Sequence, residues 1–215
     1  ASFEIKAKPI LWSTENPYLY QVSLSTDTDK VTDEIGFRTI ETKGRQILLN
    51  GNPVFLKGIS IHEEAPFRSG RICSEEEDLT LLNWAKELGC NYVRLAHYPH
   101  NEKMVRLAEK MGLMVWSEIP VYWTIQWENK DTYQNAHNQL MEMIERDQNR
   151  AAVIIWSIAN ETPHGEARDR FLSNLAKAAR EKDNSRLLSM AMERSDKSAT
   201  VLSIQDKMSE YVDII

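Results

Sequence analysis

Cysteine is scarce in this 215-residue chain: Cys73 and Cys90 are the only two, too few for a disulfide framework. A metal site built on cysteine is excluded, and two free thiols are expected. Glycine is sparse too, with eight residues. No glycine-rich turn follows the first apolar strand, which weakens a dinucleotide-binding reading. There is no long Lys/Arg run; 26 basic residues stand against 32 acidic ones, for a net charge of −6. A nucleic-acid partner, bound chiefly by neutralising phosphates, is therefore not expected. No apolar run approaches the ~20 residues of a membrane-spanning helix, and Ala1 to Lys6 shows no basic region leading into an apolar one, so no signal peptide is read there. What remains, 42% hydrophobic and 27% charged, is the composition of an ordinary soluble globular chain. The compartment stays open.

The pattern changes near residue 50. Before it, short alternating stretches read as β: Tyr20–Ser25, then Thr32–Ile40. Gln46–Leu49 and Pro53–Leu56 flank Asn50-Gly51-Asn52, a hairpin turn of residues that accept positive φ. After it, apolar strands alternate with amphipathic helices. Strands are expected at Val54–His62, Tyr92–His97, Met114–Glu118, Val153–Ala159 and Leu187–Met192, with a sixth opening at Val212–Ile215. Ser74 with Glu77 forms a capping box for a helix burying Leu81, Ala85 and Leu88, and Gly89 ends it. Asn101 caps the next, which buries Met104, Val105, Ala108 and Met111 and stops at Gly112. A third helix turns Leu140 and Ile144 inward, and a fourth, near Glu166–Glu181, buries Phe171, Leu175 and Ala178. Strand–helix–strand repeats give an α/β fold with a parallel sheet, either doubly wound or closed as a (β/α)8 barrel.

The ends of the strands decide between the two. His62-Glu63, His97-Tyr98-Pro99-His100, Glu118-Ile119-Pro120 and Asn160-Glu161 all follow the C-terminal ends of strands, where barrel enzymes gather their sites. The fold expected is an incomplete (β/α)8 TIM barrel of about six strands. Six strands leave an unpaired edge, so the chain alone is expected to self-associate or to be marginally folded.

Glu161 is the sharpest chemical feature. A carboxyl at the mouth of a buried strand is expected to be partly desolvated, which suits a general acid; the plainer role is to favour the N-terminus of the next helix. Glu118 ends the third strand, as a nucleophile, base or hydroxyl acceptor, or simply as a salt-bridge partner of Arg94. His97 reads as a hydrogen-bonded wall residue or a site residue, His62 similarly, and His100 as loop surface. His137 and His164 read as exposed. Tyr122, Trp123 and Trp127 either stack on a sugar ring or fold down as a loop core; Trp156 reads as barrel core. A metal-dependent hydrolase using His62 and His97 lacks a third ligand other than Glu118.

In this order, these strand ends resemble glycoside hydrolase family 2, the β-galactosidase and β-glucuronidase family. The match runs through Leu11-Trp12-Ser13, Asn16-Pro17-Tyr18-Leu19-Tyr20, Gly36-Phe37-Arg38 and Leu49-Asn50-Gly51-Asn52-Pro53-Val54 with Lys57-Gly58. It continues through His62-Glu63, then Arg94 with His97-Tyr98-Pro99, and ends on Trp156-Ser157-Ile158-Ala159-Asn160-Glu161. The resemblance implies that residues 1–40 are the end of an immunoglobulin-like β-sandwich and residues 41–215 the first part of the catalytic barrel. It implies a retaining β-glycosidase with Glu161 as general acid/base and Asn160 on the sugar 2-hydroxyl. Arg94 would brace the nucleophile, and His97, Glu118, His62 and Trp123 would line the sugar site.

The partner is then a carbohydrate, a β-galactoside or β-glucuronide, and homo-oligomerisation of the parent stays open. No cofactor is expected. Glu118-Ile119-Pro120 lacks the histidine that accompanies the magnesium site of some β-galactosidases, so no such metal is expected and the glucuronidase-like branch is favoured. Ile61 before His62 and Ala151 after Asn149-Arg150 depart from the family's usual residues. A non-catalytic carbohydrate-binding or assembly fragment is the alternative. In the family the nucleophile is a Glu ending the seventh strand, expected beyond residue 215; neither Glu193 nor Glu210 stands at the matching place. The 215-residue chain alone is therefore expected to show no appreciable hydrolysis of aryl β-glycosides. Turnover that Glu161→Gln abolishes would contradict this.

Overall fold

The first two strands, β1 (Tyr20–Ser25) and β2 (Lys30–Ile35), form an antiparallel hairpin pairing Tyr20 with Ile35 and Ser25 with Lys30. The computed structural model describes residues 8–193 and 203–215. A three-stranded antiparallel ribbon follows: β3 (Ile40–Lys43), β4 (Gln46–Leu49) and β5 (Asn52–Val54). Asn50 and Gly51 turn β4 into β5 with φ of 55° and 78°, the positive pair that a tight hairpin requires.

The main body is a parallel sheet in the order β10-β9-β8-β7-β6, made of β6 (Gly58–Ile61), β7 (Tyr92–Leu95), β8 (Met114–Glu118), β9 (Val153–Asn160) and β10 (Leu187–Ala191). Four helices link its strands: α1 (Glu75–Glu87), α2 (Glu102–Lys110), α3 (Lys130–Asp147) and α4 (Glu166–Lys182). Every residue of β8 and β9 is buried, as parallel strands covered on both faces should be. The sixth strand expected at Val212–Ile215 is present as one parallel bridge, Ser189 to Ile214, beside β10. It follows a 3-10 helix at Lys207–Glu210. This is the incomplete barrel expected: five strands and the start of another. No described helix is long and apolar enough to cross a membrane.

Several expected elements differ in detail, each for a local reason. The stretch Thr32–Ile40 breaks after Ile35, because Arg38 turns away from any ladder and donates to the carbonyls of Ala151, Val153 and Ser185. Val54–His62 splits at Lys57: Asn91 Oδ1 accepts from the Lys57 N–H and the Asn91 N–H donates to the Lys57 carbonyl. Gly58 then passes so close to Tyr92 that a Cβ would sit 2.2 Å from its ring. In α1, Ser74 caps Glu77 N–H, but the Glu77 carboxylate takes Cys73 N–H and Arg68 instead of closing the box on Ser74. Its inward face is Asp78, Leu82 and Ala85; Leu88, the C-cap residue, is 71% exposed. In α4 it is Ala179, not Ala178, that is fully inward. Cys73 and Cys90 are free thiols, as expected.

The lower end of the sheet is closed by Trp12, which is 0% exposed and donates Nε1–H to the Glu109 carbonyl at 3.0 Å. Buried Arg150 joins the Glu109 carboxylate to Asp33 of β2, so the hairpin is tied to the sheet by a charge as well as by packing. Burial pushes the Glu109 carboxyl above its ordinary range, against the opposing pull of Arg150. Trp12→Ala should cost about 3–5 kcal/mol, the usual range for truncating a buried aromatic side chain. Urea unfolding checks this; a loss under ~1 kcal/mol would show that the site collapses around the smaller side chain.

Candidate active site

Side chains two apart on a strand share a face, and adjacent parallel strands bring those faces together. Trp116 and Glu118 on β8 are such a pair, and Arg94 on β7 lies opposite Trp116. Glu118 is 1% exposed and both its oxygens are engaged. Oε2 accepts from Arg94 Nε at 3.0 Å and Nη2 at 2.9 Å and from Trp116 Nε1 at 2.8 Å. Oε1 lies 2.7 Å from His97 Nδ1. A carboxylate oxygen only accepts, so this contact places a proton on His97 Nδ1.

Arg94 links this cluster to the next strand. Its Nη2 also donates to Asn160 Oδ1 at 2.6 Å, and its guanidinium carbon lies 5.0 Å from the centre of the Trp116 ring. Asn160 is buried at the end of β9, held by its N–H to the Val121 carbonyl and by Trp123 N–H to its own carbonyl. With Oδ1 taken by Arg94, the carboxamide offers donors: Asn160 Nδ2 has no hydrogen bond to a described residue.

Glu161 follows in the left-handed region, φ 48°, with its N–H on the Ala191 carbonyl of β10 at 2.8 Å. The carboxyl is exposed, contrary to the shielded setting expected from the strand's apolar run. The burial of β9 ends at Asn160. Among the described residues one hydrogen bond reaches the Glu161 carboxyl: Trp123 Nε1 donates to Oε2 at 3.2 Å. Trp123 is itself at φ 54° and 63% exposed. Ring contacts continue round the rim, Trp123 to Tyr122 at 5.8 Å, Tyr122 to His97 at 5.9 Å and His97 to His62 at 5.3 Å.

All seven residues singled out from the sequence, Glu161, Asn160, His97, Arg94, Glu118, His62 and Trp123, thus fall in one continuous patch. The loop aromatics divide: Tyr122 and Trp123 stay on the rim, whereas Trp127 packs edge-on against Phe171 beside a cleft of about 660 Å³ between α3 and α4. Trp156 is buried, with Nε1 on Asp183. Trp116 was missed by sequence reasoning, though its spacing of two from Glu118 carried the signal. Thr162, buried directly after Glu161 and bonded to Arg168, was also missed; nothing in the local pattern marks it.

Two histidines differ from expectation. His137 is half-buried on α3 and not exposed. His100 is not on a loop surface: it is 1% exposed, with Nε2–H on the Ala96 carbonyl at 3.0 Å and its ring stacked on Tyr98. The chain turns inward here because the neighbouring Asn101 must cap α2 while its own N–H and carboxamide bind buried Glu63. Burial favours a raised Glu63 pKa, but the Asn101 donors and Arg71 outweigh it and hold the carboxyl below the usual range.

Comparisons with known proteins give the family. Residues 40–214 match the description "Glycosyl hydrolases family 2, TIM barrel domain" and residues 2–38 match "Glycosyl hydrolases family 2". The chain belongs to glycosyl hydrolase family 2. A β-glucuronidase of Streptococcus agalactiae is 35% identical over 178 residues, 73% of this chain and 29% of that protein. A β-galactosidase of Alteromonas mediterranea is 33% identical over 180 residues, 78% of this chain and 17% of that protein. Among solved structures, a β-glucuronidase of an uncultured Clostridium sp. superposes with a TM-score of 0.81 at 29% identity, covering 96% of this chain and 36% of that one. The chain spans less than about a third of the length of such curated relatives.

Burial lowers the His100 pKa to about 4, with the Ala96 carbonyl opposing it. The unfolded chain, with an ordinary histidine near 6.5, takes up the proton first. Stability is therefore full above about pH 6.5 and falls towards pH 4, by at most about 1.4 kcal/mol per pH unit. Melting curves across that window should show the slope in the wild type and lose it in His100→Gln, which cannot titrate. An unchanged slope in the variant would assign the effect elsewhere.

Proposed function

We propose that this chain is the acid/base-bearing part of a retaining β-glycosidase of the β-glucuronidase or β-galactosidase type. Glu161 is the general acid/base, and residues 41–215 belong to the catalytic barrel with residues 1–40 ending the β-sandwich before it. The carrying observation is the Asn160-Glu161 pair at the end of β9, with Asn160 held by Arg94 and the exposed Glu161 carboxyl accepting, among the described residues, one long hydrogen bond from Trp123. Retaining hydrolysis uses two carboxyls about 5–5.5 Å apart. One protonates the departing glycosidic oxygen while the other, here a glutamate expected beyond residue 215, attacks the anomeric carbon. The first then removes a proton from the water that releases the sugar.

The remaining roles follow from the contacts. Asn160 Nδ2 is a donor for a sugar hydroxyl at the 2-position. His97, with Nδ1–H committed to Glu118, presents Nε2 to a hydroxyl. Glu118 fixes Arg94 and His97, and Arg94 is the cation left to brace the nucleophile. Tyr122, Trp123 and His62 form the aromatic rim on which a pyranose face can stack. The names of the relatives, β-glucuronidase and β-galactosidase, support both sugars.

In the full-length protein, Glu161→Gln should lower kcat/KM for phenyl β-glucuronide or β-galactoside by about 10²–10⁴, the usual contribution of a positioned general acid. Dinitrophenyl glycosides, whose leaving group departs without a proton, should lose little. Equal losses on both substrates would remove Glu161 from the acid role.

A further inference from the structure

Among the described residues, the Glu161 carboxyl has only a long side-chain hydrogen bond, from Trp123 at 3.2 Å. Its position is therefore set chiefly by its backbone. On one side that backbone is pinned by Glu161 N–H on the Ala191 carbonyl. On the other it runs into Thr162, which is 1% exposed and whose Oγ1 accepts from Arg168 Nε at 2.9 Å. Arg168, also 1% exposed, closes a two-pronged pair on Asp206, Nη1 to Oδ1 at 2.7 Å and Nη2 to Oδ2 at 2.6 Å. Asp206 is fixed in turn, because Oδ1 accepts Met208 N–H at the start of the 3-10 helix.

We propose that Asp206, Arg168 and Thr162 form a relay of positioning residues that holds the Glu161 carboxyl in line with the glycosidic oxygen. This rests on the reading of Glu161 as general acid/base.

The guanidinium is planar, so once two of its nitrogens are locked on Asp206 the direction of Nε–H is fixed. That direction fixes the Thr162 hydroxyl, one residue from a left-handed Glu161. Stability alone is a poor reason for such a device, since a buried ion pair gains little over apolar side chains of the same size. What it adds is geometry. Acid catalysis depends on geometry, because a displacement of about 1 Å can cost roughly 10²-fold in rate. In the step concerned, the Glu161 proton passes to the glycosidic oxygen as that oxygen takes the electron pair of the breaking C1–O bond. The nucleophile's carboxylate forms the new C1–O bond.

The test is kcat/KM in the full-length protein, which reports this first step alone, on phenyl and dinitrophenyl β-glycosides of whichever sugar the wild type hydrolyses. Thr162→Val should lose about 10- to 100-fold on the phenyl substrate and less than about 3-fold on the dinitrophenyl one. Thr162→Ser, which keeps the hydroxyl, should stay within about 3-fold of wild type on both. A purely structural role would lower both substrates alike, so equal losses, or no loss on the phenyl substrate, overturn the relay. If Thr162→Val melts below the assay temperature, Asp206→Asn carries the same comparison with the same outcomes. Glu161→Gln run in parallel separates the two claims. Selective loss there without selective loss in the Thr162 or Asp206 variant overturns only the relay, whereas uniform loss in Glu161→Gln overturns the acid assignment and the relay with it.

Discussion

A carboxylate buried beneath the end of a strand has to be matched, and the matching of Glu118 organises the upper rim of this sheet. Removing such a charge from water costs several kcal/mol, offset only when its oxygens are filled by well-placed donors. Glu118 takes Arg94 from the strand on one side, Trp116 from its own strand and His97 from the loop after β7. Arg94, placed by that demand, has a donor left for Asn160 on the strand at the other side. One buried anion thus draws β7, β8 and β9 into register at the end where substrate is proposed to bind. The polar residues of the site are fixed to one another before any ligand arrives.

The opposite end of the sheet solves a different problem with similar residues. Arg38 and Arg186 donate to backbone carbonyls at the starts of β9 and β10. Arg150 spans Glu109 and Asp33, and Trp12 plugs the space beneath. Burial, with Arg186 nearby, lowers the Arg38 pKa to about 9. Most donors of these groups are paired inward, although Arg150 Nε has no partner among the described residues. The division follows the barrel rule that one end of the strands carries stability and the other chemistry.

The same division explains what the residues reveal in one dimension. β8 was legible as Met114–Glu118 and α2 with its Asn101 cap, since both depend on local apolar periodicity and capping chemistry. The site was legible as a set of strand ends, because a parallel sheet sends every strand end to one rim. Burial of individual polar residues was not. His100 goes inward because Asn101 and Glu63 lock the next residue from a distant strand, and no local pattern encodes that. Leu88 goes outward because Asp78, not an apolar residue, holds a place on the inner face of α1. The break after Ile35 depends on carbonyls more than a hundred residues away in the chain.

The two strand-end carboxyls then divide the work. Under the proposed mechanism a general acid/base must release a proton and later recover one, so its oxygens have to be free to change partners. Glu118 cannot serve: burial excludes solvent from it, and its two oxygens are already committed, between them to donors from three residues. Glu161 differs in every respect. Its side chain is exposed and makes one long hydrogen bond among the described residues, and its order comes from backbone contacts on β10 and on Thr162. Holding the main chain while leaving the carboxyl uncommitted is how a group can be both positioned and reactive. A site that held both carboxyls in the manner of Glu118 would be more rigid and would have nothing left to move a proton.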